Sequence, residues 1–397
     1  MHDRLELEGD VLAPYAPTNN LIATGCVLLP SSPEEFGDKA ALLQEIRSYL
    51  RRYVDLSPLF EGIAAHYALL TWVYDAFHEL PYLRFRGDYG TGKTRALLTL
   101  GSICYKPFFA SGASTVSPIF HVLDAFGGTL VLDEADFRFT DATAALTKIL
   151  NNGNVAGLPV LRSVPNRHKE YDPKAFRVFG PKLIGMRERF SDAALESRFL
   201  TEETGQRSLR SDIPIQVPAT LGEEALILRN KLLMWRFRER GNVAVDPTRA
   251  AKGVEPRLNQ TSLALLSLVD DPSLRADIKA ALVDEQDRLK ADRSASLEAL
   301  VLSILIKVRP PAGTAEPSVA MLAEHLQSQA SAELGRLATP KWTGWFLRAR
   351  LRLSTLKRHG VYVLPHGEWA KVAALALRYG VDAVAETAMS DIRQRAT

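Results

Sequence analysis

Gly87-Asp88-Tyr89-Gly90-Thr91-Gly92-Lys93-Thr94 decides the fold, because it meets every fixed position of the pattern G-x-x-x-x-G-K-[ST]. In such a loop the glycines, with Thr91 between them, let backbone N–H groups turn inward around phosphates. Lys93 reaches the β- and γ-phosphates, and the Thr94 hydroxyl ligates Mg²⁺. The flanks agree: Tyr82-Leu83-Arg84-Phe85-Arg86 alternates as a strand does, and Thr94 to Cys104 reads as a helix. Strand, loop and helix therefore follow in the required order. They imply a nucleoside triphosphate site with ATP and Mg²⁺ as its expected cofactors.

Hydrolysis at such a site also needs a carboxylate for the metal and a base that positions water. Thr129-Leu130-Val131-Leu132 is a short apolar run of the kind that makes a buried parallel strand, and it ends in Asp133-Glu134. Asp133 is thus the expected metal ligand beside Thr94, and Glu134 the residue that polarises water. The interval from Lys93 leaves room for one helix, a strand at Pro107 to Ala110 and a helix from Thr115 to Phe126, one right-handed β-α-β excursion of a parallel sheet. Asp133-Glu134-Ala135-Asp136 also spells the DEAD signature of two-domain helicases, but the chain carries no second nucleotide-binding half to accompany it.

A chain of 397 residues, 46% hydrophobic and 24% charged, is expected to form two or three globular domains with ample core. Its net charge of +3 is too near neutral to argue for a nucleic-acid partner, which has to be sought in local clusters. Cys26 and Cys104 have no Cys or His companions at metal spacing and read as core thiols. No apolar run approaches the length of a membrane span, and the first residues are acidic and polar where a secretory segment is basic and then apolar. A cytoplasmic protein without a membrane partner is expected.

Before the loop, Leu21 to Leu29 reads as a strand, Ala40 to Val54 as an amphipathic helix, and Ser57-Pro58 as the start of a longer helix to Glu79. Tyr67, Trp72, Tyr74 and Phe77 on that helix suit packing against the sheet better than a base-stacking platform. After Asp133-Glu134, Thr140-Asp141 caps a helix to Leu150. Pro159 to Val164 and Ala175 to Ile184 then form the arms of a hairpin whose tip, Asn166 to Lys174, is turn-rich and basic. Leu183-Ile184-Gly185-Met186 is a core strand ending at Arg187, followed by Ser191 to Phe199, which closes on Leu195-Glu196-Ser197-Arg198-Phe199.

A carboxylate strand, a basic hairpin, a strand ending in a polar residue and a short helix closing on Leu-x-Ser-Arg-Phe resemble the AAA+ ATPases, especially the ring-forming ATPases of phage and plasmid replication proteins. The resemblance spans Arg86 to Arg257. It implies a γ-phosphate sensor at Arg187, where many relatives have Asn or Thr, and an arginine at Arg198 that reaches the neighbouring subunit's site. An arginine aimed at the γ-phosphate neutralises charge that develops in the transition state; the alternative for either residue is a surface or salt-bridged arginine. Helices from Leu221 to Arg238, Pro256 to Val269, Ser273 to Asp292 and Ser296 to Val308 look like that family's lid, with Arg257 as the second sensor or, failing that, a solvated arginine. In related ring helicases the hairpin lines the pore and grips DNA, which assigns phosphate contacts to Arg167, His168, Lys169 and Lys174. The alternative is a solubilising turn that also carries Glu170 and Asp172.

Arg309 to Pro317 is a linker by composition. Beyond it, a capped helix at Ser318 to Gln329, a second at Thr339-Pro340 and a two-stranded segment turning at His359-Gly360 look like a winged helix. Arg336, Lys341, Arg348, Arg350, Arg352, Lys357 and Arg358 fall within Leu334 to Gly367, a stretch with no acidic residue, while Trp342 and Trp345 are expected in the core. Lys341, Arg348, Lys357 and Arg358 are the candidate phosphate contacts, against the alternative of a solvated face used for protein contact.

The expected fold is α/β, a P-loop NTPase of AAA+-like type: an N-terminal region with a helix (1–56), an ATPase core (57–215), a helical lid (216–308), a linker (309–317) and a winged helix (318–397). The expected function is Mg²⁺-dependent ATP hydrolysis by a homo-oligomeric, hexameric ring that moves or unwinds DNA, single-stranded in its pore, for a mobile element. Two other classes stay open: an ATP-switched DNA-binding scaffold without unwinding, and a protein-remodelling ATPase in defence against mobile elements. The chain holds no nuclease or primase constellation.

Overall fold

The strand that feeds the glycine loop is an interior strand. The computed structural model describes residues 5–7, 10–12, 15–16, 18–112, 114–133, 141–165, 171–190, 192–311, 314–329 and 338–381, and the chain divides into two units, Met1–Val283 and Asp284–Thr397. In the first unit β1 (Leu5–Leu7) and β2 (Asp10–Leu12) pair with each other. Then come α1 (Asn20–Ala23), α2 (Lys39–Tyr53), α3 (Pro58–Val73), β3 (Tyr82–Arg86), α4 (Lys93–Gly101), β4 (Phe108–Ser111), α5 (Val116–Phe126) and β5 (Leu130–Asp133). The unit continues with α6 (Asp141–Asn152), β6 (Val160–Pro165), β7 (Tyr171–Phe176), β8 (Lys182–Met186), α7 (Ala193–Glu196), β9 (Phe199–Glu203), α8 (Thr220–Glu239) and α9 (Pro256–Leu268).

β4, β5, β8, β3 and β9 form, in that order, one sheet whose neighbours all run parallel. A parallel sheet is covered on both faces, and its strands carry continuous apolar runs. β8 is buried along its whole length, and β3 and β5 along all but their last residue. On one face α5 and α6 pack through Val116, Ile119, Phe120, Leu123, Leu146, Ile149 and Leu150. On the other, α3 is buried almost all round, with α2, α8 and α9 against it. Its start is set by Ser57, whose Oγ accepts from Phe60 N at 3.2 Å, with Pro58 next in the chain. Farther along, the Tyr67 hydroxyl donates to the carbonyls of Pro81 and Lys182 at 3.1 Å each, and Trp72 Nε1 donates to Ile103 O at 2.9 Å. The aromatic helix therefore packs as core, with Tyr67, Trp72 and Phe77 buried.

Four local expectations change. Leu21 to Leu29 holds no strand: Asn19 Oδ1 accepts from Leu21 N to start α1, and Gly25 (φ 71°) turns the chain so that only Val27 bridges β4, at Phe108. α3 stops at Val73 with one 3₁₀ turn after it, because the chain must extend into Pro81 and β3. The hairpin arms pair from Val160 opposite Phe176 to Pro165 opposite Tyr171, and Gly180 and Pro181 separate this ribbon from β8, so the second arm does not run on to Ile184. Lys174 accordingly sits in an arm opposite Arg162, not at the tip. Of the two thiols Cys104 is buried and Cys26 only partly so.

α10 (Pro272–Ser294) carries the chain into the second unit, where α11 (Leu297–Lys307), α12 (Val319–Gln329), α13 (Pro340–Ala349), the antiparallel pair β10 (Leu356–Arg358) and β11 (Val361–Val363), and α14 (Trp369–Arg378) follow. Val301, Leu302, Ile304 and Leu305 of α11 enter one core with Leu322, Leu326, Phe346, Leu347, Trp369 and Val372. This helix, expected in the lid, is thus built into the unit that was expected to begin at Ser318. Residues 314–317 are tied down as well: Leu364 N donates to Pro317 O at 3.0 Å, and Arg358 pairs with Glu316 at 2.9 Å. Among the described residues no helix is long and apolar enough to cross a membrane.

His66 lies inside the first unit's helical layer, its Nδ1 2.9 Å from Gly62 O, and burial pushes its pKa down to about 4. An unfolded histidine near 6.5 binds the proton more readily than this one, so stability is full above pH 6.5 and falls as pH drops from 6.5 towards 4. Moving from pH 7 to pH 5 should cost about 2 kcal/mol through this group. Urea unfolding at the two pH values should show this loss shrink in His66→Gln.

Candidate nucleotide site

The glycine loop turns at the carboxyl edge of the sheet. Gly90 (φ 73°) and Gly92 (φ 90°) occupy the left-handed region, which strains any L side chain, and Gly92 caps α4. A Cβ on Gly87 would lie 2.4 Å from Thr204 Oγ1 and 2.5 Å from Thr204 O. That closeness has a partner set: Thr204 N donates to Arg86 O at 2.7 Å, and Thr204 Oγ1 lies 2.8 Å from Thr91 Oγ1. The end of β9 thereby braces the loop. Lys93 Nζ donates to Gly87 O at 2.7 Å and Asp88 O at 2.6 Å, which holds the ammonium within the loop at the start of α4, where helix N–H groups and the dipole favour an anion.

β5 delivers its carboxylate to the same place. Thr94 Oγ1 donates to Asp133 Oδ2 at 2.6 Å. Room for Asp133 comes from Gly185 in β8, where a Cβ would meet Asp133 Oδ1 and Leu97 Cδ1, each at 2.8 Å. Directly after β8, the Arg187 guanidinium lies 4.0 Å from the Tyr89 ring centre and donates to the Tyr89 hydroxyl. The structure thus brings together the loop, Thr94, Asp133 and Arg187. Glu134 lies outside the described residues.

Two recesses flank these groups. One of about 470 Å³ opens beside Gly90, Thr91 and Gly92, with Leu209, Ile213 and Pro214 on its apolar side and Asp55 and Glu202 on its polar side. Arg95, on the first turn of α4, donates to the carbonyls of Pro214 and Ile215 and so fixes that wall. Burial raises the Glu202 pKa, against the hydrogen bonds it accepts from Ser57. The second, about 290 Å³, lies between Thr94 and Asp133 on one side and Phe109, Ser111 and Ser114 on the other.

Arg198 and Arg257 stand elsewhere. Tyr82 N donates to Arg198 O at 2.9 Å, which places Arg198 at the amino edge of β3. The length of β3, at about 3.3 Å per residue, separates it from its own glycine loop by roughly 15 Å. Arg198 is 9% exposed; Nη1 donates to Ala194 O at 3.1 Å and to Asn151 Oδ1, while Nε is buried and, among the described residues, without a partner. Burial, and then the nearby Arg257, hold this guanidinium below the usual arginine range. Arg257, exposed on the first turn of α9, is therefore a neighbour of Arg198.

The centre of the sheet also holds a residue pair that the sequence patterns did not reveal. Arg84 of β3 and Glu196 of α7 form a two-pronged ion pair at 2.5 and 2.7 Å, with side chains 1% and 4% exposed. Arg84 Nε also donates to Thr201 Oγ1 at 3.0 Å, its guanidinium lies 4.8 Å from the Phe199 ring centre, and Phe190 N donates to Glu196 Oε1 at 2.7 Å. A charged residue in the middle of an apolar strand, and Glu196 two residues before Arg198, were the available signals.

Of the expected nucleic-acid contacts, Arg167, His168 and Lys169 lie outside the described residues. Lys174 lies 3.3 Å from Asp124 and 4.7 Å from the Phe176 ring centre. In the second unit Arg358 is paired with Glu316, Arg348 donates to Thr355 Oγ1 at 2.9 Å, and Lys341 and Lys357 are exposed. Trp342 packs on Phe346 at 4.8 Å, but Trp345, expected in the core, is 52% exposed, because Phe346 and Leu347 take the inward face of α13.

No family model and no curated protein matches this chain. Among solved structures, the apo C-terminal region of NrS-1 aligns at 12% identity and a TM-score of 0.39, over 92% of this chain and 82% of that one. An active helicase described as SCCmec type IV Cch aligns at 14% and 0.37, over 83% and 68%. The JCV helicase aligns at 14% and 0.26, over 67% and 64%. At such scores and identities these likenesses assign no activity to this chain.

Removing one member of the buried pair leaves the other charged and unpaired, which costs about 3–5 kcal/mol, whereas an apolar pair of similar volume is close to neutral. Glu196→Gln and Arg84→Met should each lower the urea midpoint sharply. The double variant Arg84→Met/Glu196→Leu should recover most of that loss, and additive losses would show that the two side chains act separately.

Proposed function

We propose that the chain is an Mg²⁺-dependent ATPase of the AAA+ type. The observation that carries this reading is the 2.6 Å contact between Thr94 and Asp133 at the mouth of a glycine loop that meets the full P-loop pattern. Thr94 and Asp133 offer adjacent hard oxygen donors of the kind that would hold Mg²⁺. When bound, the ion draws charge from the phosphate oxygens. The loop N–H groups and Lys93 hold the phosphates, Arg187 reaches them from the end of β8, and Glu134, next in the chain, polarises the attacking water. The 470 Å³ recess takes the base against Leu209, Ile213 and Pro214.

Placement of Arg198 supports a ring. It stands a strand length from its own loop, so a role at phosphate assigns it to a neighbouring subunit's site. We take this ring, with the basic hairpin and the winged-helix-like second unit, as a motor on DNA for a mobile element.

Lys93→Ala should abolish nucleotide binding, and Glu134→Gln should bind ATP without turning it over, because one residue holds phosphate and the other only activates water. Calorimetry with ATP and a phosphate-release assay separate these; normal hydrolysis in either variant removes the proposed site. Arg198→Ala should bind ATP normally and lose at least about a thousandfold in rate. Mixed with the Lys93→Ala chain it should regain part of the activity. No recovery in any mixture would place the arginine's action outside a neighbouring subunit's site.

A further inference from the structure

On α13 the side chains Lys341, Trp345 and Arg348 recur at i, i+4 and i+7, and all three are exposed while Phe346 and Leu347 fill the core. A helix that turns a tryptophan outward between two cations has a face that core packing does not require. The hairpin continues this face. Lys357 stands directly opposite Tyr362 in the β10–β11 register, which puts both on one side of the ribbon, and Tyr362 is 52% exposed. Arg348 joins helix and hairpin: its Nη1 donates to Thr355 Oγ1 at 2.9 Å, and its guanidinium lies 6.0 Å from the Tyr362 ring centre.

Charge sorts the remaining cations. Arg358, on the other side of the ribbon, is paired with Glu316 at 2.9 Å, and Arg350 donates to Glu298 at 2.8 Å. Among the described residues Lys341, Arg348 and Lys357 have no acidic partner, so the face with the two exposed rings is also the one whose positive charge is uncompensated. A polyanion with flat, unpaired rings fits both properties at once. In a duplex the bases are already stacked on one another and offer an outward-facing tryptophan nothing to stack on.

We propose that this face binds single-stranded nucleic acid, with bases stacked on Trp345 and Tyr362 and the phosphate backbone along Lys341, Arg348 and Lys357. The proposal rests on the reading that the second unit meets nucleic acid. It removes Arg358 from the contact set and adds the two rings to it.

The test uses the full chain with a labelled oligothymidylate and a mixed-sequence duplex of equal length, titrated over a salt series. The wild type should favour the single strand, with a quench of fluorescence that disappears in Trp345→Phe. Trp345→Ala and Tyr362→Ala should each weaken single-strand binding about tenfold or more without changing the salt slope. Trp345→Phe should retain most of the affinity, since a stackable ring remains. Lys357→Ala should flatten the log–log salt slope by roughly 0.7, and Arg358→Ala should leave it unchanged. Single-strand affinity unchanged in both ring variants, or a wild-type preference for duplex, overturns the stacking platform alone. A wild type that binds neither nucleic acid removes the reading beneath it, and displacement of the oligonucleotide from Trp345 by polyglutamate at equal charge assigns the face to an acidic protein segment.

Discussion

Arg84 and Glu196 join the strand that feeds the glycine loop to the segment that carries Arg198. Both charges are out of water, so the pair holds only while every neighbour that satisfies it stays in place: Thr201 on β9, Phe190 N after β8, and the Phe199 ring. These groups come from β9 and from the segment that follows β8. An apolar residue at position 84 would pack against the same surroundings without selecting among them. The two-pronged pair instead fixes the orientation of α7 relative to β3, and α7 leads directly into Ser197 and Arg198. Register is thereby set at the amino edge of the sheet, one strand length from the loop whose geometry depends on it.

The parallel sheet then sorts the functional groups by edge. All five strands point the same way, so whatever follows a strand collects at one edge and whatever precedes it collects at the other. The glycine loop follows β3, Asp133 ends β5, Arg187 follows β8 and Thr204 follows β9; they meet because of strand direction. Arg198 precedes β9 and cannot join them. Packing adds what direction alone does not. Gly185 makes space for Asp133, and Gly87 lets Thr204 approach, so two missing Cβ atoms, one in the loop and one in the neighbouring strand, set the depth of the site.

The glycine loop, Thr94 and Asp133 were legible in the sequence because their chemistry needs particular residues within a few contiguous positions. β5 and β8 were legible from their apolar runs and β3 from its alternation, for the same local reason. The Arg84–Glu196 pair was not, since its partners are far apart in the chain and each looks like an ordinary charged residue. Nor was the allegiance of α11: a helix with apolar residues all round announces burial without saying against what, and its Val301, Leu302 and Leu305 go to the core shared with Trp369. Trp345 shows the converse error. Tryptophan favours burial on average, but α13 has one inward stripe, and Phe346 and Leu347 occupy it. At Leu21 to Leu29 a β-like composition lost to one cap and one left-handed glycine.

α6 connects the two edges. Its first turn follows the segment that carries Glu134, and its last turn holds Arg198 through Asn151, whose Nδ2 also donates to Asp192 Oδ2 at 3.2 Å. A helix of this length spans about 18 Å, enough to run the height of the sheet. Leu146, Ile149 and Leu150 of α6 enter one core with residues of β5, β8 and α5. The last turn of α6 therefore ties Arg198 to the core packed on this face of the sheet. Among the described residues the buried Nε of Arg198 has no partner, so this guanidinium carries a desolvation cost where it stands. A guanidinium held by Asn151 of α6 and the Ala194 carbonyl of α7 is positioned by those two helices and not by solvent.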